Sequence, residues 1–266
     1  MALTQQQLEK IAASAHVRAG HGRHHLPGGE PVPLYQGFLR RVEETGRDFC
    51  FFTNNSSKNR EAYLEKLSRM GIPVPPEKML ISNGVILEWL KERHPGARCW
   101  VVGTPFLQED FRKAGFTPDD PEADLVILGF DTTLTYEKLR VACDLIRAGR
   151  PVYGVNPDWN CPVEGGLHPR LWLHRRSCKG STGVQCEFFG KPSPHTLGYM
   201  LAQTGCQPQE LAVVGDRLYT DIAVAAGTDV TSILVMSGET TPELLTQSQV
   251  HPTLVVRDLE ELGELL

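Results

Sequence analysis

Short apolar runs alternate with amphipathic stretches along most of this 266-residue chain. The runs predict buried strands at 48–53, 99–103, 125–129, 152–156, 211–215, 231–236 and 253–256. Helical spacing predicts helices at 37–45, 82–94, 105–114, 135–148 and 193–204, with a short one at 4–14 and others near the C-terminus. A further helix starts from a Ser56 or Ser57 cap and stops at Gly71. Strands that alternate with helices in this way form a parallel sheet covered on both faces. A second alternating set runs from 82 to 182, so the prediction is a small α/β domain inserted between the two halves, 1–81 and 183–266, of a main one.

Two windows have neither period. From His16 to Gly29 the chain reads H-V-R-A-G-H-G-R-H-H-L-P-G-G, where an α/β domain ordinarily places its first buried strand. An empty strand slot leaves the neighbouring strand edges open, which predicts poor stability or aggregation. The second window is R-L-W-L-H-R-R at 170–176. Clustered imidazoles bind transition metals, so His16, His21, His24 and His25 admit a metal-site reading. The glycines at 22, 28 and 29 favour a poorly packed segment instead.

A net charge of -5 and a pI near 6.0 give no general attraction to nucleic acid or anionic membrane, so small dissolved substrates fit better. No apolar run approaches the roughly 18 residues of a membrane span, and the N-terminal stretch lacks a signal-peptide core. The seven cysteines are odd in number and never form a C-x-x-C pair. They read as thiols in a reducing cytoplasm, not as a disulfide frame or zinc site.

Candidate chemistry gathers at strand ends. The run Leu211-Ala212-Val213-Val214 stops at Gly215-Asp216, with Asp221 in the next turn, and Lys191 precedes the helix before it. Open α/β sheets bind ligands at such carboxyl ends. A lysine can hold a phosphate there, and two carboxylates suit Mg2+, a hard cation. Thr53 and Asn54 end another strand beside a predicted helix start, where hydroxyl and N–H groups can hold a phosphate oxygen. Asp131, with Thr135-Tyr136 beyond it, and Asn156-Pro157-Asp158 end strands of the inserted set. They read either as turn chemistry or as lid contacts to a substrate's leaving group. No G-x-G-x-x-G follows a first strand, which disfavours dinucleotide binding.

Taken together, F-T-N-N-S-S at 52–57, G-F-D at 129–131 with T-Y-E-K-L at 135–139, N-P-D at 156–158, G-K-P at 190–192 and G-D with T-D at 215–221 resemble the haloacid dehalogenase superfamily. More narrowly they resemble its NagD-like, subfamily IIA phosphatases, from about residue 37 onward. The resemblance implies a HAD-like Rossmannoid α/β core with a parallel sheet, an inserted α/β cap of the C2 type at 82–182, and Mg2+-dependent hydrolysis of a small phosphomonoester. It makes Thr53 the phosphate-binding hydroxyl and Lys191 the stabilising cation. Asp216 becomes a metal ligand with Asp221 as its supporting acid, and Asn54, Asn55, Asp131, Asn156 and Asp158 become substrate-binding residues. It also implies a homodimer formed through the cap.

The family's first motif, D-x-D-G-T, is absent, and no carboxylate lies between His16 and Gly29. Its first aspartate attacks phosphorus in the family, so the covalent step itself is affected. Back-translated and read one nucleotide later, the window from His16 onward is compatible with Y-V-L-D-M-D-G-T-I-Y-L-G. The same shift lets 170–176 read D-C-G-S-I-A-A, as in these caps. Paired insertions and deletions, in the gene or its reading, would account for both windows. Two functions follow as expectations: a phosphatase whose turnover is lost or very weak, or a catalytically silent protein that binds phosphometabolites.

Overall fold

The computed structural model describes residues 10–14, 32–158, 160–163, 166–169 and 171–266. The motif window at 16–29 therefore lies outside the described residues. The chain divides into two compact units: 1–53, 64–80 and 191–266 form the first, and 54–63 with 81–190 the second. Residues 54–63 cluster with the inserted segment.

The first unit is built on a six-stranded sheet ordered β12-β11-β10-β1-β2-β3. Its strands are β1 (Lys10–Ser14), β2 (Asp48–Thr53), β3 (Met79–Ile81), β10 (Leu211–Gly215), β11 (Thr231–Val235) and β12 (Leu254–Val256). Strand β1 runs parallel to both β10 and β2, with Ala12 opposite Val213 and Cys50. All five residues of β10 are buried, as befits a strand covered on both faces. Helices α1 (Val32–Glu44), α2 (Arg60–Arg69), α7 (Pro194–Thr204), α8 (Pro242–Gln247) and α9 (Leu259–Glu264) belong to the same chain halves, α2 lying across the unit boundary.

The second unit contains a four-stranded parallel sheet, β4-β5-β6-β9, and an antiparallel pair, β7-β8. The strands are β4 (Cys99–Val102), β5 (Leu125–Leu128), β6 (Val152–Gly154), β7 (Asn160–Val163), β8 (Gly166–Pro169) and β9 (Glu187–Phe188). Helices α3 (Ser82–Arg93), α4 (Pro105–Lys113), α5 (Tyr136–Arg147) and α6 (Leu171–Thr182) complete it. Thr104 and Thr135 cap α4 and α5 through their hydroxyls, each accepting from a backbone N–H of the first turn. Val126, Leu128, Ala142, Ile146 and Cys178 share one buried cluster.

Several expectations are corrected. Residues 10–14 are not helical but form the central strand, so the slot left open by the 16–29 window is filled from further upstream and the edges of β2 and β10 are paired. The expected aggregation loses that structural basis. Helix α2 begins at Arg60, where Asn59 Oδ1 accepts from Ala62 N at 3.0 Å, so the cap is neither Ser56 nor Ser57. The patternless 170–176 window falls largely within α6. Strands β3, β7, β8 and β9 were not anticipated.

Candidate functional site

In the first unit, the apolar run of β10 delivers Asp216 to the carboxyl end of the strand beside β1. The chain then makes one wide π-type turn, Leu218–Ile222, which folds Asp221 back against the strand end. The approach is close enough that a Cβ on Gly215 would run into the Asp221 side chain, so a glycine is required there. Asp221 Oδ1 accepts from Lys191 Nζ at 2.6 Å, and both side chains are fully buried. Asp221 Oδ2 accepts from Arg217 N at 3.2 Å. Lys191 Nζ also lies 5.1 Å from the centre of the Phe52 ring, next to the buried Thr53 at the end of β2. The sequence-predicted Thr53, Lys191, Asp216 and Asp221 are thus all buried at strand ends or in the turn that follows, on one unit.

A loop that the sequence did not single out holds Asp216. Its Oδ2 accepts from Glu239 N at 2.9 Å, and its carbonyl accepts from Thr240 N at 3.2 Å and from Thr240 Oγ1 at 2.6 Å. Glu239 in turn pairs with Arg217 at 2.6 Å and accepts from the Tyr219 hydroxyl at 2.6 Å. The one available signal was Ser237-Gly238-Glu239-Thr240, a polar run directly after an apolar strand. Asp216 Oδ1 is buried without a hydrogen-bond partner. Burial, with the Asp221 charge beside it, pushes the Asp216 carboxyl above the usual carboxylate range.

An unsatisfied carboxylate oxygen next to a second carboxylate is what a hard cation would relieve, and Mg2+ commonly takes one or two carboxylates and completes its shell with water and phosphate. Asp216 fits that part; Asp221 already has both oxygens engaged. Among the described residues no group of three or more His, Cys, Asp or Glu could hold a metal. The reading of His16, His21, His24 and His25 as a metal site lies outside them.

The remaining candidates belong to the second unit. Asn55 Oδ1 accepts from Ser57 N and Ser57 Oγ at 3.0 and 2.8 Å, a local turn. Asp131 Oδ1 accepts from Thr133 N and Thr133 Oγ1, while Oδ2 pairs with Lys138 Nζ at 2.7 Å. Asn54, Asn156 and Asp158 hydrogen-bond to one another within a buried network.

A buried lysine–carboxylate pair with an unsatisfied carboxylate, at the carboxyl edge of a parallel sheet, marks a class of α/β protein with a charged site where open sheets bind ligands. Comparison with known proteins narrows the class. A family model described as haloacid dehalogenase-like hydrolase matches residues 25–117, and one described as HAD-hyrolase-like matches 188–262. An acid sugar phosphatase of Staphylococcus aureus is 33% identical over 235 residues, which is 88% of this chain and 91% of that protein. A 4-nitrophenylphosphatase of Thermotoga maritima is 34% identical with a TM-score of 0.89, over 98% of both chains. A p-nitrophenyl phosphatase from Archaeoglobus fulgidus, at 24% identity and a TM-score of 0.88 over 98% of this chain and 100% of its own, shares the fold. The chain belongs to the haloacid dehalogenase-like hydrolases, in their NagD-like phosphatase branch. Among the described residues no helix is long and apolar enough to cross a membrane.

Proposed function

We propose that this chain keeps the phosphate-holding and cation-holding half of a phosphomonoesterase site and lacks the group that attacks phosphorus. The carrying observation is the fully buried Lys191–Asp221 pair beside Asp216, whose Oδ1 is unsatisfied. The Lys191 ammonium, held by Asp221, neutralises phosphoryl charge, and the Thr53 hydroxyl donates to a phosphoryl oxygen. Asp216, supported by Asp221, would hold Mg2+, which when bound supplies further neutralisation of phosphoryl charge. A carboxylate nucleophile belongs at the end of the central strand. Neither β1, with the sequence K-I-A-A-S, nor residues 15–29 carry one. With no group to form the new bond to phosphorus, a bound ester stays intact. The ligand class is a small phosphorylated metabolite. Sugar phosphates are the first to try, given the acid sugar phosphatase relative.

Two measurements test this on the full chain. With Mg2+ and p-nitrophenyl phosphate, turnover is expected at or near the blank. Inorganic phosphate at about 100 times its dissociation constant should stabilise by about 2.7 kcal/mol, a melting rise of roughly 5–10 °C. Robust turnover, or no thermal response to phosphate, overturns the proposal. A second reading is that the chain derives from an active phosphatase through single-base changes in the gene. It is favoured by the family match beginning at residue 25, just past the place where D-x-D-G-T is missing. Expressing the shifted reading frame across His16 to Pro27 should then produce turnover, and failure of that protein to hydrolyse any phosphomonoester would count against it.

A further inference from the structure

Thr53 and Lys191 belong to the first unit, but the next residue on one and the preceding residue on the other, Asn54 and Gly190, belong to the second. The chain therefore passes from unit to unit immediately beside each phosphate-handling residue. Within the second unit these two passages meet. A Cβ on Gly190 would lie 2.6 Å from Asn156 Cβ, 2.8 Å from Asn54 Oδ1 and 2.9 Å from the Val155 carbonyl. Only glycine lets the segments come that close.

We propose that Asn156 and Asp158 are positioning residues, which with Asn54 and Gly190 form a buried pin fixing the backbone on which Thr53 and Lys191 are mounted. This deepens the phosphate-site reading above and rests on it. The Asn54 carbonyl, the first after Thr53, accepts from Asn156 Nδ2 at 2.6 Å and from Ser82 Oγ at 2.9 Å. Asn54 Nδ2 donates to Asp158 Oδ1 at 2.8 Å, and Asp158 N donates to Asn156 Oδ1 at 3.2 Å. Asn156 Nδ2 also reaches Ser56 Oγ at 3.3 Å, and that oxygen accepts from Phe130 N at 2.8 Å. Asn54, Ser56, Ser82 and Asn156 have no exposed surface and Asp158 is 3% exposed. A buried network whose members satisfy one another resists small displacements, because any shift strands a desolvated polar group. Phosphate contacts reward such rigidity, since misplacement by about 1 Å can cost about a hundredfold in catalysis. The N-P-D segment is thereby assigned to holding the site and not to touching the leaving group.

The test is calorimetric titration of the full chain with inorganic phosphate and Mg2+. Asn156→Ala and Asp158→Ala should each weaken phosphate binding about tenfold or more, as loss of outer-shell support does elsewhere. Asp158→Asn keeps an oxygen for Asn54 Nδ2 and should bind like the parent. Ser232→Ala, which removes the bonds that the Ser232 hydroxyl makes to Thr253 N and Thr253 Oγ1 between β11 and the segment entering β12, should lower the melting temperature and leave affinity unchanged. Parental affinity in both alanine variants, whatever their melting temperatures, overturns the pin. So does an Asp158→Asn protein as weak as Asp158→Ala, because charge and not the hydrogen bond would then matter. A parent that binds no phosphate overturns the proposed function together with the pin, whereas a binding parent with unaffected variants overturns the pin alone.

Discussion

Lys191 and Asp221 are fully buried and 2.6 Å apart, so removing either charge leaves the other stranded in the core of the first unit. In Lys191→Met the Asp221 carboxylate keeps the Arg217 N–H at 3.2 Å but loses its counter-charge. Breaking a buried pair in this way costs about 3–5 kcal/mol. For a chain of this size that is a fall in melting temperature of roughly 6–20 °C. In the double variant Lys191→Met with Asp221→Asn no charge is buried, and the amide oxygen can still accept from Arg217 N. Neutral replacement of a buried ion pair is often nearly free, so the double variant should recover to within about 1–2 kcal/mol of the parent. With each single variant costing about 3–5 kcal/mol, the coupling energy from the cycle is then at least about 4 kcal/mol. Urea unfolding in the absence of Mg2+ and phosphate measures it. Trp89, Trp100, Trp159 and Trp172 all fall within 81–190, so tryptophan fluorescence reports the second unit, and the first must be followed by far-ultraviolet circular dichroism. A loss below about 1 kcal/mol in Lys191→Met, or a double variant that costs the sum of the singles, would refute the reasoning.

Asp216→Asn removes a buried charge whose Oδ1 has no partner, so the metal-free protein should melt at or above the parent temperature while losing any stabilisation by Mg2+; scanning calorimetry with and without the ion decides, and a variant that still responds to Mg2+ contradicts the assignment. Burial pushes the Asp110 carboxyl up to about 6 from an ordinary 3.8, against the hydrogen bond from Asn83 Nδ2. A raised acid favours folding in its protonated form, so its contribution is full below about pH 4 and is lost as pH rises through about 6. Asp110→Asn should therefore gain stability over the parent at pH 8 and not at pH 4, by at most about 3 kcal/mol and by about 1 kcal/mol after solvent screening; equal differences at both pH values would sink this. Asp131→Ala strands Lys138 and undoes the Thr133 turn, so stability should fall by about 2–3 kcal/mol with phosphate affinity unchanged; a large affinity loss in titration would return Asp131 to the ligand contacts.

How much of this was legible in the sequence follows from the range of each interaction. The strands at 99–102, 125–128 and 211–215 were readable because buried parallel strands are unbroken apolar runs, and Thr135 and Ser193 mark their helices by local capping. The central strand was not. Lys10-Ile11-Ala12-Ala13-Ser14 favours a helix by intrinsic propensity, and only the slot between β2 and β10, formed by residues far along the chain, makes it a strand. Asn59 displaced Ser56 and Ser57 as a cap because Ser57 is held by Asn55 and Ser56 by Phe130, a partner 74 residues away. The site divides in the same way. Lys191 stood out just before a helix, and Asp216 and Asp221 at a strand end and in the turn after it. That Lys191 reaches Asp221, and that Glu239 and Thr240 fasten Asp216, are contacts across roughly 20 to 30 residues that no local pattern encodes. Motif reading thus singled out the charged groups, took Asn54, Asn156 and Asp158 for substrate contacts, and missed Glu239 and Thr240, which fasten Asp216. For this chain the distinction has a consequence. The holding groups at Asn54, Asn156, Asp158, Glu239 and Thr240 keep well-formed hydrogen bonds although the attacking carboxylate is absent, so loss of turnover need not entail loss of binding, and affinity is the property to measure before rate.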